Sequence, residues 1–364
     1  MSGLTVRLTR PLRHFALDLA FVHERGILAL FGQSGMGKTQ TLECLAGLAM
    51  PQTGVIALDD RVWFRCEPGA AAVKVPPHRR GIGYVVQDGA LFPHMTLAAN
   101  VAYGIRREPD AAARVRELLA AMGISELAER YPREVSGGQQ RRAAIARALA
   151  IRPRLLLLDE PFVHLDRLVR ARLMRDLVAA VRAQDLLAVL VTHDREELAA
   201  CADRIALLER GRIIQLGARD EVLDRPVSAA AALLLGDSNL LDGTVAGREG
   251  DWWVVRTGAL DWRLPGTETL AVGQAVTLAV RASALKIIRP DVPVPPELAR
   301  NCHPGRLLDA DVRPDTVQFT VRFGDGSEVT GATLPDVYAR AAARLDEERE
   351  FAVVPGGLRW YPRR

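Results

Sequence analysis

Ile27-Leu28-Ala29-Leu30-Phe31-Gly32-Gln33-Ser34-Gly35-Met36-Gly37-Lys38-Thr39 is the stretch that decides the fold. Its first five residues are continuously apolar, as in a parallel strand covered on both faces. The next eight fit G-x-x-x-x-G-K-[ST], and residues 39–48 read as a helix. In that setting glycines let the backbone turn its N–H groups inward around phosphate oxygens. The helix N-terminus adds partial positive charge. Lys38 would reach the β- and γ-phosphates, and the Thr39 hydroxyl would bind Mg²⁺. The expected cradle is Gly32, Gln33, Ser34, Gly35, Met36, Gly37, Lys38 and Thr39, with Gln40 beside it. A plain Gly-rich turn is the competing reading. The pattern arises by chance in about one chain in a hundred of this length, and a strand before it with a helix after it makes chance a poorer account.

Working outward, residues 83–87, 155–158 and 188–192 read as further buried strands. Helical patterns cover residues 111–122, 137–150 and 167–183. This alternation predicts an α/β layered core over residues 1–236. Residues from about 95 to 140 are helical without strands and read as an insertion. From residue 237 to 364 the pattern changes to short alternating runs broken by Gly and Pro. A Pro-rich joint at residues 289–296 divides that region, which is expected to be all-β with two similar halves.

Chemistry concentrates at the strand ends, which face the ligand crevice in open α/β sheets. Leu155-Leu156-Leu157-Leu158 runs into Asp159-Glu160-Pro161. Asp159 is placed on Mg²⁺, and Glu160 is placed to polarise the attacking water. Acids at strand ends are often only solvated loop residues, and the phosphate loop upstream decides against that here. Val191-Thr192-His193-Asp194 ends another strand, with His193 positioned to hydrogen-bond a γ-phosphate. Gln87 follows a third strand and offers a side-chain amide to Mg²⁺ or water.

Val135-Ser136-Gly137-Gly138-Gln139-Gln140-Arg141-Arg142 opens the helix at 137–150 and offers a second anion-binding terminus. One ATP does not need two such cradles from one chain. Two copies packed head to tail would each cap the nucleotide of the other. Together these motifs resemble the ABC ATPases over residues 4–235, in order and approximate spacing. The resemblance implies a P-loop ABC ATPase core with a helical insertion, and ATP with Mg²⁺ as cofactors. It also implies a homodimer in which Ser136, Gly137, Gly138 and Gln139 complete the partner's site. Glu160, His193 and Gln87 are the implied catalytic residues, and Thr39, Gln87 and Asp159 the implied metal ligands. Val135 stands where Leu is usual, and His164 where a small residue is usual. His14 and Phe15 are the nearby candidates for stacking on adenine.

The unfused ATPase unit and the all-β C-terminal region resemble those of importer subunits, with an OB-like, TOBE/Mop-type fold. The implied partners are integral-membrane permease subunits and, indirectly, a periplasmic or extracellular solute-binding protein. The implied location is the cytoplasmic face of the inner membrane. The run from Val75 to His94 is similar to ATPases of molybdate importers, so molybdate is the expected cargo. Sulfate or thiosulfate, ferric iron and polyamine are the alternatives. Leu298-Ala299-Arg300-Asn301 is similar to the Ser-Ala-Arg-Asn element of molybdate-binding folds, with Leu298 in place of Ser, and Val354 stands where that fold usually carries Lys.

Composition sets the remaining limits. The 364 residues suggest more than one domain. A net charge of +4 with dispersed Arg is mild for a nucleic-acid binder, and none is expected as a partner. No apolar run approaches the ~20 residues that span a bilayer, and no secretory signal is visible at Met1-Ser2-Gly3. The four cysteines are scattered without C-x-x-C, against a zinc site or disulfide framework. ABC ATPases of repair or translation commonly carry tandem ATPase units, coiled coils or zinc insertions. This chain has one phosphate loop and none of those, so the transport class is expected.

Overall fold

The computed structural model describes residues 3–163, 165–237, 239–266, 270–289, 291–341 and 344–363. The chain divides into two compact units after Arg225. The first contains β1 (Leu4–Pro11), β2 (Ala16–His23), β3 (Gly26–Phe31), α1 (Lys38–Ala46), β4 (Thr53–Leu58), β5 (Arg61–Cys66), β6 (Val73–Lys74) and β7 (Ile82–Val85). It continues with α2 (Leu97–Ala102), α3 (Ala111–Ala121), α4 (Gly137–Ala150), β8 (Leu155–Asp159), α5 (Arg167–Ala183), β9 (Leu187–Thr192), α6 (Arg195–Cys201), β10 (Arg204–Glu209), β11 (Arg212–Ala218) and α7 (Arg219–Asp224).

Among the described residues its strands form one eleven-stranded sheet, in the order β6-β5-β4-β1-β2-β11-β10-β3-β9-β8-β7. The four strands expected from apolar runs, β3, β9, β8 and β7, lie side by side and parallel. Both faces of β8 are covered. Leu156 and Leu158 enter a core shared with the inserted helices, and Leu155 and Leu157 enter the core on the opposite face. Each such Leu contributes about 1.5–3 kcal/mol by burial. The antiparallel half of the sheet, β1, β2, β4 and β5, was not resolved into strands by sequence reading. β2 alternates exposed and buried residues along its whole length, so it has no apolar run to find.

α1 starts at Lys38 and ends at Ala46, two residues short of the expected helix end. Gly47 closes it at φ 80°, with the Leu48 N–H donating to the Glu43 carbonyl. The buried Arg80 guanidinium donates to the carbonyls of Cys44 and Leu45 at 3.0 and 2.7 Å. A Cβ on Gly47 would stand 2.7 Å from that guanidinium. Glycine is thus required here by both conformation and space. The strand expected over residues 83–87 ends at Val85, leaving Gln87 in a turn. Between β7 and β8 the described residues hold helices and no strand, as expected of the insertion.

The second unit contains α8 (Ala229–Leu234), β12 (Asn239–Glu249), β13 (Trp252–Thr257), β14 (Leu260–Pro265), β15 (Ala275–Val280), β16 (Leu285–Ile287), α9 (Pro296–Ala299), β17 (Cys302–Val312), β18 (Val317–Phe323), β19 (Glu328–Thr333), α10 (Pro335–Ala341), β20 (Glu348–Val353) and β21 (Leu358–Pro362). The division falls ahead of the expected boundary at 236, because α8 packs with this unit: Ala232 sits with Ala279 and Tyr361.

Two five-stranded sheets, β14-β13-β12-β15-β21 and β16-β20-β17-β18-β19, build this unit. They exchange strands. β16 follows β15 in the chain yet pairs with β20, and β21 follows β20 yet pairs with β15. Two buried asparagines repeat the exchange. The Asn239 amide bonds the N–H and carbonyl of Thr330 at 2.8 and 2.7 Å. The Asn301 amide bonds those of Arg263 at 2.7 and 2.9 Å. Each imitates a neighbouring strand at the other sheet's edge. Leu278, Trp262, Phe319 and Phe351 from both sheets meet in one core.

Candidate functional site

The register of the parallel strands assembles the site. Phe31 pairs with Thr192, Asp159 with Val191, and Val85 with Leu158. The segments that leave these strand ends carry the phosphate loop, His193, Glu160 and Gln87. Four motifs far apart in sequence thus open at one end of one sheet.

The loop from Gly32 to Thr39 wraps the start of α1. Gly35 and Gly37 take φ of 81° and 96°. No heavy atom lies within 4 Å of the position a Gly35 Cβ would take, so the cradle is open there. Gly37 caps α1 without a side-chain hydrogen bond, leaving first-turn amides for an anion. The buried Lys38 ammonium donates to the carbonyls of Gly32 and Gln33 at 2.8 and 2.9 Å. Burial lowers its pKa, and the charges of Glu160 and Asp159 oppose that. Ser34 is exposed. Met36 receives the Arg210 N–H on its sulfur at 3.2 Å. Gln40 turns away and donates to the Glu43 carboxylate at 2.6 Å. Phe15 packs beside the cradle, its ring 3.5 Å from where a Gly37 Cβ would stand, while His14 is exposed.

Asp159 is 3% exposed and accepts from the Thr39 hydroxyl at 3.2 Å. Burial pushes its carboxyl above the ordinary range; the Thr39 bond opposes this and the Glu160 charge adds to it. A hydroxyl beside a carboxylate forms an oxygen pair that suits a hard divalent cation. Glu160 follows in the left-handed region at φ 44°, its N–H donating to the Val191 carbonyl at 3.0 Å. That turn brings Glu160 Oε1 to 3.0 Å from His193 Nδ1. Gln87, Glu160 and His193 line one cavity of about 430 Å³.

Sequence reading missed the residues that support this cavity. Phe162, Arg170, Asp194 and Glu197 share its lining. Arg170 on α5 bonds Asp194 and, at 2.6 Å, Glu196. Acidic residues one turn into a helix read as dipole complements, so nothing in the sequence set Glu197 apart.

The signature residues stand apart from this group. Ser136 caps α4, accepting from the Gln139 N–H at 3.3 Å, and Gln139 Oε1 accepts from the Ser136 N–H at 2.9 Å. Ser136 and Gly137 are exposed and Gly138 is buried. Among the described residues no hydrogen bond links them to the phosphate loop of the same chain. α4 does reach the Gln87 segment. Arg141 donates to the carbonyls of Val86 and Gln87, and Arg147 to those of Gly89 and Ala90. Val135 packs against the core of the inserted helices; His164 lies outside the described residues. On the insertion, a separate apolar cavity of about 890 Å³ is lined by Ala98, Ala102, Val115, Leu119 and Ala128. In the second unit Leu298 is half-buried, and the Asn301 amide is fully engaged with the Arg263 backbone.

Comparison with known proteins shows the family. A family model described as ABC transporter matches residues 18–163. A putrescine transport ATP-binding protein of Escherichia coli (strain K12) is 34% identical over 323 residues, 87% of this chain and 83% of that protein. A sulfate/thiosulfate import ATP-binding protein of Mycolicibacterium paratuberculosis is 38% identical, covering 90% of this chain and 88% of its own length. An Fe(3+) ions import ATP-binding protein of Pseudomonas fluorescens is 45% identical over 58% of this chain and 59% of its own. Among solved structures, cbiO1 from Clostridium perfringens, described as part of the ABC transporter complex cbiONQ, superposes with a TM-score of 0.54 at 26% identity. The match covers 61% of this chain and 90% of that one.

Proposed function

This chain belongs to the ATP-binding subunits of ABC transporters, and we propose that it hydrolyses Mg-ATP as a homodimer to drive import through separate permease subunits. The observation that carries the reading is the pairing of Glu160 with His193, 3.0 Å apart, in the cavity that Gln87 also lines. Glu160 orients water for attack and His193 stabilises the transferring group. Lys38 and the loop amides hold the phosphates, and Thr39, Asp159 and Gln87 serve Mg²⁺.

No helix among the described residues is long and apolar enough to cross a membrane. We assign the membrane path to separate permease subunits, and the apolar cavity on the inserted helices to the docking of a permease segment. The relatives named above carry putrescine, sulfate or thiosulfate, and Fe³⁺. These support the alternatives to molybdate, so we assign the cargo to that group of small inorganic ions and polyamines. In the second unit Leu298 brings no hydroxyl where the similar element carries Ser, and the Asn301 amide is engaged with the Arg263 backbone.

Glu160→Gln tests the assignment. The variant keeps ATP affinity, loses turnover by at least about a hundredfold, and elutes as an ATP-dependent dimer in size-exclusion chromatography. Turnover at the wild-type rate would remove Glu160 from the reaction.

A further inference from the structure

The cavity lined by Gln87, Glu160 and His193 includes one buried carboxyl that the hydrolysis scheme does not use. Glu197 on α6 is 3% exposed and lines the same space. Its carboxyl is hydrogen-bonded to the Thr192 hydroxyl. That hydroxyl also accepts the Asp194 N–H at 2.9 Å. With the amide donating to it, the hydroxyl's own proton is directed to the carboxyl. Carboxyl, hydroxyl and amide therefore form a chain across the turn from β9 to α6, and His193 is the residue at its apex. The other side of the turn is held by Asp194, which caps α6 through the Glu196 N–H at 2.7 Å and pairs with Arg170 of α5.

We propose that Glu197 is a positioning residue for ATP hydrolysis, holding the Thr192–Asp194 turn through the Thr192 hydroxyl so that His193 meets Glu160. The proposal rests on the assignment of Glu160 and His193 to the reaction. The charged and titratable groups facing Glu197 are Asp194 and His193 from the turn, Arg170 from α5, and Cys201 on its own helix. Burial raises the carboxyl to about 7. Asp194 adds to the rise, while the Thr192 bond, Arg170 and His193 oppose it. Below that pH the group is neutral and sits in the turn without cost. Above it a buried anion faces the Asp194 carboxylate, and the turn loosens.

Turnover and ATP affinity of the full chain, measured from pH 6 to 9, test this. Glu197→Leu and Thr192→Val each lower kcat about tenfold with ATP Kd within about twofold. Thr192→Ser, which restores the hydroxyl, recovers the turnover lost in the valine variant. Wild-type turnover is expected to decline above pH 7; Glu197→Gln, neutral at every pH, recovers the turnover lost in the leucine variant and removes that decline. Wild-type kcat in both Glu197→Leu and Thr192→Val overturns the proposal, as does a Glu197→Gln pH profile that superimposes on the wild type. If Glu197→Leu does not fold, the Thr192 pair decides alone. Glu160→Gln in the same assay separates the two readings. Full activity there overturns the site, whereas an inactive Glu160→Gln beside fully active Glu197 and Thr192 variants overturns only the positioning role.

Discussion

Asp159 and Glu160 are neighbours in sequence with unlike environments, and the difference comes from one backbone angle. Asp159 ends β8 inside the sheet and meets Thr39. Glu160 turns through φ 44° and leaves the strand toward His193, a local strain of the kind that gathers at functional sites. The sequence made these two residues legible because an apolar strand ends abruptly in acids. It gave no such signal for Glu197. Glu196 and Glu197 both stand in the first turn of α6, where either complements the helix dipole. Only tertiary packing exposes one and buries the other. Burial has a stability consequence. Glu197 titrates near 7 in the fold against an ordinary 4.5. Between those values the folded state holds a proton that the unfolded chain has lost, so stability falls as pH rises through the window. The penalty is complete above pH 7, at about 3 kcal/mol. Glu197→Gln should therefore raise Tm relative to wild type at pH 8 and leave it unchanged near pH 4.5, by calorimetry. An equal difference at both pH values would show that the group does not ionise across this range.

At the scale of elements, legibility followed hydrophobic pattern. α4 and α5 lie where periodicity placed them, and β3, β8 and β9 were found from continuous apolar runs bounded by turn signals. β1 and β2 beside them bury one face only, so polar residues such as Thr5, Arg7 and Asp18 alternate with apolar ones and no continuous apolar run marks them. The exchange of β16 and β21 is a pairing between distant segments, which no local period encodes. Nothing in the sequence assigned a partner to the arginines of α4. In the structure Arg141 and Arg147 hold four carbonyls of the segment after β7, and Arg147 lies over the Phe92 ring at 5.4 Å. The helix that opens with the signature thus carries the Gln87 turn with it. Hydrogen bonds from charged donors are worth about 1.5–3 kcal/mol each. Arg147→Gln should lower the local opening free energy by about 1–2 kcal/mol, speeding amide exchange at residues 86–92 about tenfold while β8 keeps its protection. Hydrogen-exchange mass spectrometry reads both segments at once. Unchanged exchange at residues 86–92 would mean that this turn is held by other contacts.

At the scale of the whole molecule, the chain carries a phosphate loop and an exposed α4 terminus, with no hydrogen bond between them among the described residues. The phosphate loop has open amides and a lysine resting on its own carbonyls. Ser136 and Gly137 are exposed at the start of a fourteen-residue helix, whose capping box closes on itself. In the proposed homodimer, a second copy sets its α4 terminus against the first copy's γ-phosphate. A long cationic side chain at residue 136 would then disrupt the partner's site and leave its own phosphate loop intact. Ser136→Arg should keep ATP Kd within about twofold and lose turnover by about a hundredfold. Combined with Glu160→Gln, it should also abolish the ATP-dependent dimer that the single Glu160 variant forms. Both readings come from one experiment, size-exclusion chromatography with bound ATP quantified across the peak. A double variant that binds ATP and elutes as a monomer places Ser136 in the shared interface. One that still dimerises with ATP would mean that the two sites are closed by other residues, and the head-to-tail arrangement would have to be given up.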